Sequence, residues 1–369
     1  MRTRVVKSTL CQRALKATVY VITMGEILKK TNNAKTVLQR LWITMPVFND
    51  WESACETILK LSKTNFGFQT TLVVVDDGST EVAEKESAIQ TLLRSSINSN
   101  IDLQIVDSPI NSGNQAAIMR GLIHISNMAS KSDFIAVMDA DGEDKPEDLP
   151  MLLSSLITKS AEVVVAKRGS RNQTIGFLFM HSLFRFIFRL LTSKSIDFGN
   201  FMVFRQGMLE KILHKSKKAS NSLPGIILSV SPQIERLILN RGKRIQGDSR
   251  TSLDSLIIWG MELISPFSKQ ILARILRVSF FICLLVTSVS LILLGVRIFT
   301  DFLIPGTAST LLLVLLALLL LLVFLSCISV LIFSRFEAIT DRVLDEQSPS
   351  IITKQKSTSV IKIKKGEQS

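Results

Sequence analysis

The sequence predicts an α/β domain built on a mostly parallel sheet, followed by a two-helix membrane anchor. Strands and helices alternate from Trp42 onward, a pattern that folds into parallel βαβ units. Acidic or asparagine-rich turns follow the strands, at the carboxyl ends where such sheets bind ligands. Two stretches, Val278–Val296 and Phe302–Ser334, carry no charged residue, and a helix needs about 20 apolar residues to cross a bilayer.

Taken in order, Trp42–Val47 reads as the first strand and ends in Pro46-Val47-Phe48-Asn49-Asp50, with a helix over 52–63. Thr71–Val75 is the second strand and runs into Asp76-Asp77-Gly78-Ser79-Thr80; a helix then leads to a strand at Leu103–Val106. Asn111-Ser112-Gly113-Asn114 caps a helix that reaches Ser126. Phe134–Met138 is an apolar strand that stops at Asp139-Ala140-Asp141, with Glu143 shortly after. A helix over 146–159 and a strand at Glu162–Ala166 complete the alternation. From Arg168 the chain is basic and less regular. Arg171 follows in the same turn, a helix spans 177–191, and Asp197-Phe198-Gly199-Asn200-Phe201 leads into a short strand. Ser231–Leu239 reads as helical, and Arg241–Arg250 is a basic loop. Ser252–Ile275 reads as amphipathic helix interrupted at Pro266, its apolar residues around Trp259 suited to a membrane interface. The expected spans are 276–299 and 308–334, joined by a turn at Pro305-Gly306. The organisation is thus an extension over 1–40, the α/β domain over 41–251, an interfacial region over 252–275, spans over 276–334 and a tail over 335–369. The tail is rich in Ser, Lys and Gln from 343 and is expected to be disordered.

Across 369 residues, 44 Lys and Arg stand against 31 Asp and Glu, a net charge of +13. This balance calls for an anionic partner such as nucleotide phosphates or lipid headgroups. The basic residues are scattered and aromatics are few, so nucleic acid is not the expected partner. Cys11, Cys55, Cys283 and Cys327 show neither metal-ligand nor disulfide spacing. His124, His181 and His214 form no HExxH pair, which excludes the usual zinc sites. GxGxxG and GxxxxGK[ST] are absent, so neither an NAD enzyme nor a P-loop NTPase is indicated. Basic residues flank the outer ends of the spans: Lys269, Arg274 and Arg277 before the first, Arg335 and Arg342 after the second, and further lysines in the tail. The turn between the spans has only Arg297 and Asp301. The positive-inside rule then puts the domain and both termini in the cytoplasm, on a multi-pass protein of the inner membrane.

Asp139 and Asp141 alternate in extended backbone and so aim at one point beyond the strand. Two hard carboxylates with room for waters suit Mg²⁺ or Mn²⁺ gripping a diphosphate. A lone Asp-x-Asp is more often an acidic surface turn, and an EF-hand is excluded because Asp144 and Pro150 stand where it needs Gly and Glu. The surrounding motifs decide the matter.

Together these motifs resemble family 2, GT-A-fold glycosyltransferases, in particular polyprenyl-phosphate glycosyltransferases of the dolichyl-phosphate-mannose synthase type. The resemblance runs from Ile43 to Arg250 and continues into the paired C-terminal spans of the bacterial branch. It rests on Pro46–Asp50, Asp76–Ser79, Asn111-x-Gly113, Asp139–Asp141, Arg168, Asp197–Phe201 and Arg244-x-x-Gly247-Asp248-Ser249-Arg250. Departures are Phe48 for Tyr, Asp50 for Glu, Glu143 for Gln and Arg250 for Lys. The resemblance implies that Pro46, Phe48, Asp50, Val75, Asp76, Asp77, Ala140 and Arg168 bind the nucleotide sugar. It implies that Asp139, Asp141 and Glu143 hold Mg²⁺ or Mn²⁺, and that Arg171, Arg244 and Arg250 meet the acceptor phosphate, with Asp139, Asp141, Arg244 and Arg250 as the catalytic set. The implied activity is inverting transfer of a sugar to a polyprenyl phosphate such as an undecaprenyl or dolichyl phosphate. A homo-oligomer and a separate flippase are further partners to consider. Asp197 is read first as a structural turn residue and only second as a base. The alternatives are a processive polysaccharide synthase, which the missing QxxRW motif disfavours, and a non-catalytic membrane protein on the same scaffold.

The basic loop yields a test. Arg250→Ala is expected to cut transfer severely at nearly unchanged melting temperature, Arg250→Lys to keep part of the rate, and Lys243→Ala to cost little. Transfer assays with thermal unfolding of each variant check it.

Overall fold

The computed structural model describes residues 39–94, 101–168, 175–216, 222–231, 233–242, 244–245, 253–299, 310, 313–326, 328 and 360–363. The expectations for the extension 1–38, Arg171, Arg250 and the turn at Pro305-Gly306 lie outside the described residues. The chain divides into two compact units. One comprises Met1–Leu178, Ile196–Leu263 and Ile352–Ser369; the other comprises Phe179–Ser195 and Ile264–Ile351.

Four strands form the parallel centre of the first unit: β1 (Arg40–Val47), β2 (Gln69–Asp76), β3 (Ile101–Asp107) and β4 (Phe134–Val137). Their near-continuous apolar runs reflect burial on both faces, the usual state of parallel strands. β5 (Val163–Arg168) and β4 flank the antiparallel β6 (Phe198–Arg205), and β7 (Ile234–Leu239) lies parallel to β5. The order among the described residues is β7-β5-β6-β4-β1-β2-β3-β8, where β8 is Val360–Ile363.

Alternation across β1 and β2 sorts the core into two layers. Leu41, Ile43, Met45, Leu72 and Val74 share one cluster with helix α1 (Trp51–Lys63) and helix α4 (Leu149–Thr158). Trp51, Ala54, Ile58, Leu149, Leu152 and Leu156 are their buried contributions. Helix α2 (Val82–Arg94) packs beside α1. On the other face, helix α3 (Asn114–Ser126) crosses β1 and β2 at Gly121, where a Cβ would collide with Thr44 Oγ1 and lie 3.0 Å from Val75 Cγ2. Helices α6 (Gln206–Ser216) and α7 (Leu223–Val230) join α3 there. At the amino ends of the strands, the buried Asp133 carboxylate accepts from Arg40 N at 3.1 Å, Trp42 Nε1 at 2.9 Å and Ser130 N at 2.9 Å, tying β1 to the start of β4.

Two elements differ from the sequence expectation. Ser231–Leu239 was expected to be helical, yet Ile234–Leu239 is a strand. Its apolar spacing suits either period, and the edge of β5 supplies hydrogen-bond partners that a helix would leave unmet. Within the tail expected to be disordered, Val360–Ile363 forms β8, antiparallel to β3. Its Val-Ile-Lys-Ile sequence is strand-forming, and β3 offers the free edge.

Helix α5 (Ile175–Thr192) enters the second unit. Helix α8 (Leu253–Ile264) ends at a 3₁₀ turn, Ser265–Phe267, so the interruption at Pro266 is present. Helix α9 (Ser268–Phe299) then runs without a break at 275. Within the second unit, Phe188 meets Phe267 edge-on at 5.9 Å, and Arg274 Nη1 donates to the carbonyls of Leu190 and Leu191 at 3.0 Å each. Trp259–Val296 is, among the described residues, the one stretch long and apolar enough to cross a membrane. The second expected span is represented by helix α10, the shorter apolar Leu313–Ser326.

The α3–sheet contact leaves no room for a side chain. Gly121→Val is therefore expected to destabilise the fold by about 1–3 kcal/mol through overpacking, seen as a lower midpoint in thermal unfolding.

Candidate active site

Because β1, β2, β3 and β4 run parallel, the segments leaving them emerge on one edge of the sheet. Backbone bonds join these segments: Asp77 N to Val47 O at 2.8 Å and Ser108 N to Asp76 O at 2.9 Å. Asn49, in left-handed backbone with φ 48°, accepts from Thr80 N through its side chain at 2.8 Å, and its own amide donates to Ser79 Oγ at 3.0 Å. Gly78 has φ 74°, and a Cβ there would approach the Ile110 carbonyl carbon to 2.6 Å. Glycine is required on both counts.

The two aspartates after β2 are occupied by the chain itself. Asp76 accepts from Ser79 N at 3.0 Å and pairs with Lys85 at 2.6 Å, and Lys85 also reaches Asp107 at 2.6 Å. Burial alone would lower the Lys85 pKa, but the hydrogen bonds it donates to its two carboxylate partners, with their charges, reverse the sign and raise it. Asp77 is 3 % exposed and accepts from Ser112 N, Ser112 Oγ, Gly113 N at 2.7 Å and Arg120 Nη1 at 2.9 Å. The side chain expected at the nucleotide thus pins the turn that starts α3. Arg120 also donates to Ser112 Oγ. Of the other expected nucleotide residues, Phe48 is exposed, Pro46 partly so, and Val75 is fully buried in β2. Ala140 is buried, and its carbonyl accepts from Thr57 Oγ1 at 3.0 Å. Arg168 ends β5.

Asp139 accepts at Oδ1 from Asn114 Nδ2 and Asn200 Nδ2, both at 3.4 Å. Asn200 in turn accepts from Gln115 Nε2 at 3.0 Å, and Gln115 Oε1 accepts from Leu223 N at 2.8 Å. Asp141 accepts from Glu143 N at 3.0 Å, and Arg244 Nη2 stands 3.8 Å from its other oxygen. Asp50 at the start of α1 belongs to the same neighbourhood. Burial raises its carboxyl pKa, the Ser53 hydrogen bond and the Arg244 charge oppose that, and Asp141 adds to it. Glu143 is turned to Arg241, 2.6 Å away. No group of three metal-binding side chains converges among the described residues. Asp139 and Asp141 are hard carboxylates, a chemistry that fits a divalent cation which keeps waters and takes other ligands from a bound diphosphate. Asp197 pairs with Lys167 and Arg236, each at 3.0 Å, in keeping with a structural role.

Sequence reasoning missed Asp144, Gln115, Arg120 and Arg241. Asn114, Asn200 and Arg241 lie within motifs the sequence marks, the last in the basic loop, but their partners are far apart in the chain. Asp144 is buried and accepts from Asp139 N at 2.9 Å. Burial, reinforced by the adjacent Asp139 charge, pushes its pKa up to about 8.

Residues 42–213 match the family described as Glycosyl transferase family 2. The chain carries a family 2 glycosyltransferase domain. The domain is similar to undecaprenyl-phosphate 4-deoxy-4-formamido-L-arabinose transferases. The one from Sodalis glossinidius is 23% identical over 268 residues, which is 71% of this chain and 78% of that protein. The one from Salmonella paratyphi B is 23% identical over 224 residues, 60% of this chain and 65% of that protein. This second match covers just under two thirds of the relative. Among solved structures, a mannosyltransferase from Pyrobaculum calidifontis in complex with GDP-Man and Mn²⁺ is 14% identical, with a TM-score of 0.44 over 70% of this chain and 74% of that one. Glucosyl-3-phosphoglycerate synthase from Mycobacterium tuberculosis with Mn²⁺, UDP-Glc and phosphoglyceric acid is 16% identical, with a TM-score of 0.42 over 64% and 79%.

The buried Asp144 sets a pH dependence for the family 2 domain. Its folded pKa lies above the unfolded value, so its stabilising contribution is complete below about pH 4 and is lost as pH rises through about 8. In chelator-treated protein, Asp144→Asn is expected to flatten that decline, as measured by thermal unfolding between pH 5 and about 9.

Proposed function

We propose that the protein transfers a sugar from a nucleotide-sugar donor to a polyprenyl phosphate at the cytoplasmic face of the inner membrane, with inversion. The observation that carries this reading is the approach of Arg244 to Asp141, two residues beyond Asp139, at the carboxyl edge of a family 2 domain. The similarity to undecaprenyl-phosphate sugar transferases supports the choice of acceptor.

An acceptor phosphate monoester has its second pKa near about 6 and is already an anion at neutral pH. It needs no strong general base. Its oxygen would attack the anomeric carbon from the face opposite the nucleoside diphosphate; the new C–O bond forms as the bond to the leaving phosphate breaks. Alignment and leaving-group stabilisation would then supply the catalysis. Mg²⁺ or Mn²⁺, held by Asp139 and Asp141, would neutralise charge on the departing diphosphate. Arg244, with Arg168, Arg171 and Arg250, would complete the cationic wall. Asn114 and Asn200 orient Asp139 for this task.

The apolar α9 would anchor the domain beside its lipid substrate. The pairing of β8 with β3 favours an even number of crossings, with the C-terminal segment on the same side as the domain. With α10 as the return span, the excess of Lys and Arg outside the turn favours the cytoplasmic side. A separate flippase would carry the product across.

Incubation with undecaprenyl-phosphate vesicles and a panel of labelled nucleotide sugars is expected to place label in the lipid phase. Excess EDTA should abolish transfer, and Asp139→Asn or Asp141→Asn should lower it by about 100-fold or more at an unchanged melting temperature. Full turnover in EDTA would remove the metal from this scheme, and absence of label from every sugar would remove the transferase reading.

A further inference from the structure

Glu143 stands two residues beyond Asp141, where the sequence suggests a third metal ligand. Its surroundings assign it other work. Oε2 of Glu143 lies 2.6 Å from Nη1 of Arg241, and the two side chains are only 13% and 27% exposed. The backbone follows the same docking: Gly242 N donates to Glu143 O at 2.8 Å and Ile245 N to Asp141 O at 3.0 Å. A Cβ at Gly242 would collide with the Gly142 carbonyl, so the two turns touch backbone to backbone. Beneath them is a cavity of about 20 Å³ lined in part by Asp144, Lys167 and Asn240, large enough for one water. Arg241 also borders that cavity, and its Nε is buried with no hydrogen-bond partner among the described residues.

We infer that Glu143 and Arg241 form a latch that seats the 241–245 segment on the acidic turn, so that Glu143 is a positioning residue and not a metal ligand. The segment carries Arg244, which the latch delivers to Asp141. Charge arithmetic agrees. Arg241 neutralises Glu143 and leaves Asp139 and Asp141 as the pair available to a dication. A glutamine at 143, as in the family this sequence resembles, could not neutralise Arg241. The two residues are thus a matched pair in this chain. The inference deepens the transferase reading and rests on it for the meaning of Arg244, but the latch itself is testable apart from turnover.

The test compares Glu143→Gln, Arg241→Met and the charge swap Glu143→Arg with Arg241→Glu in the full chain. The latch predicts that both single variants speed hydrogen exchange at the Gly242 and Ile245 amides by about tenfold. It also predicts that both lower kcat and kcat/KM together by about fivefold, as expected when a cation that acts on the departing diphosphate loses its position. Mn²⁺ affinity, titrated by paramagnetic resonance with the metal alone, should stay within about twofold of the parent in each single variant. The swap should recover part of the amide protection. A metal ligand at 143 predicts the opposite: Glu143→Gln would weaken Mn²⁺ by about tenfold or more, while Arg241→Met would not. That result overturns the latch, as does parental amide exchange in both single variants. A parent protein that takes no nucleotide sugar would overturn the transferase reading alone, since the exchange and Mn²⁺ measurements still decide the latch.

Discussion

The structure depends on how negative charge is held at the end of β4. Asp139, Asp141, Glu143 and Asp144 fall within six residues. Like charges this close repel by about 4 kcal/mol at 4 Å in an effective dielectric of 20, so each needs its own answer. Asp144 is buried with its pKa raised and a backbone N–H as partner. Glu143 has Arg241, Asp141 has a backbone N–H and the more distant Arg244, and Asp139 has two side-chain amides.

Around that turn the site is preorganised by residues with no chemistry of their own. The Asp77–Arg120–Ser112 cluster fixes the start of α3, and with it Asn114. Gln115 links Asn200 on β6 to the amide of Leu223 at the start of α7. Asp139 is therefore oriented from two elements far apart in the chain. Such satisfied polar networks hold a geometry more firmly than isolated contacts do, and a site that must not reorganise during reaction benefits from that stiffness. The many bonds spent on Asp76 and Asp77 fit the same account: these carboxylates hold the turn after β2 and the start of α3.

Under the proposed function, the apolar C-terminal helices would give the site its location. The outward face of α9 is built from Phe280, Phe281, Leu284, Leu285, Leu291 and Ile292, all exposed in the isolated chain. A surface of that size is stable only against lipid or another apolar partner. Holding a soluble donor site at a membrane makes a lipid acceptor reachable without extracting it from the bilayer.

The sequence by itself determined the α/β class, the order of strands and helices up to β5, the Asp-x-Asp at the end of β4 and the apolar C-terminal stretches. These are local signals: apolar runs, turn residues and spacing along one strand. Tertiary structure decided what local signals cannot carry. Ile234–Leu239 became a strand because β5 had an edge to pair, and Val360–Ile363 joined the sheet because β3 had another. Asp77 was given to Arg120 and the Ser112 turn, and Glu143 to Arg241, 98 residues further along the chain. A carboxylate looks the same in sequence whether it faces a metal, a nucleobase or a guanidinium. Only the fold brings the cation that settles which.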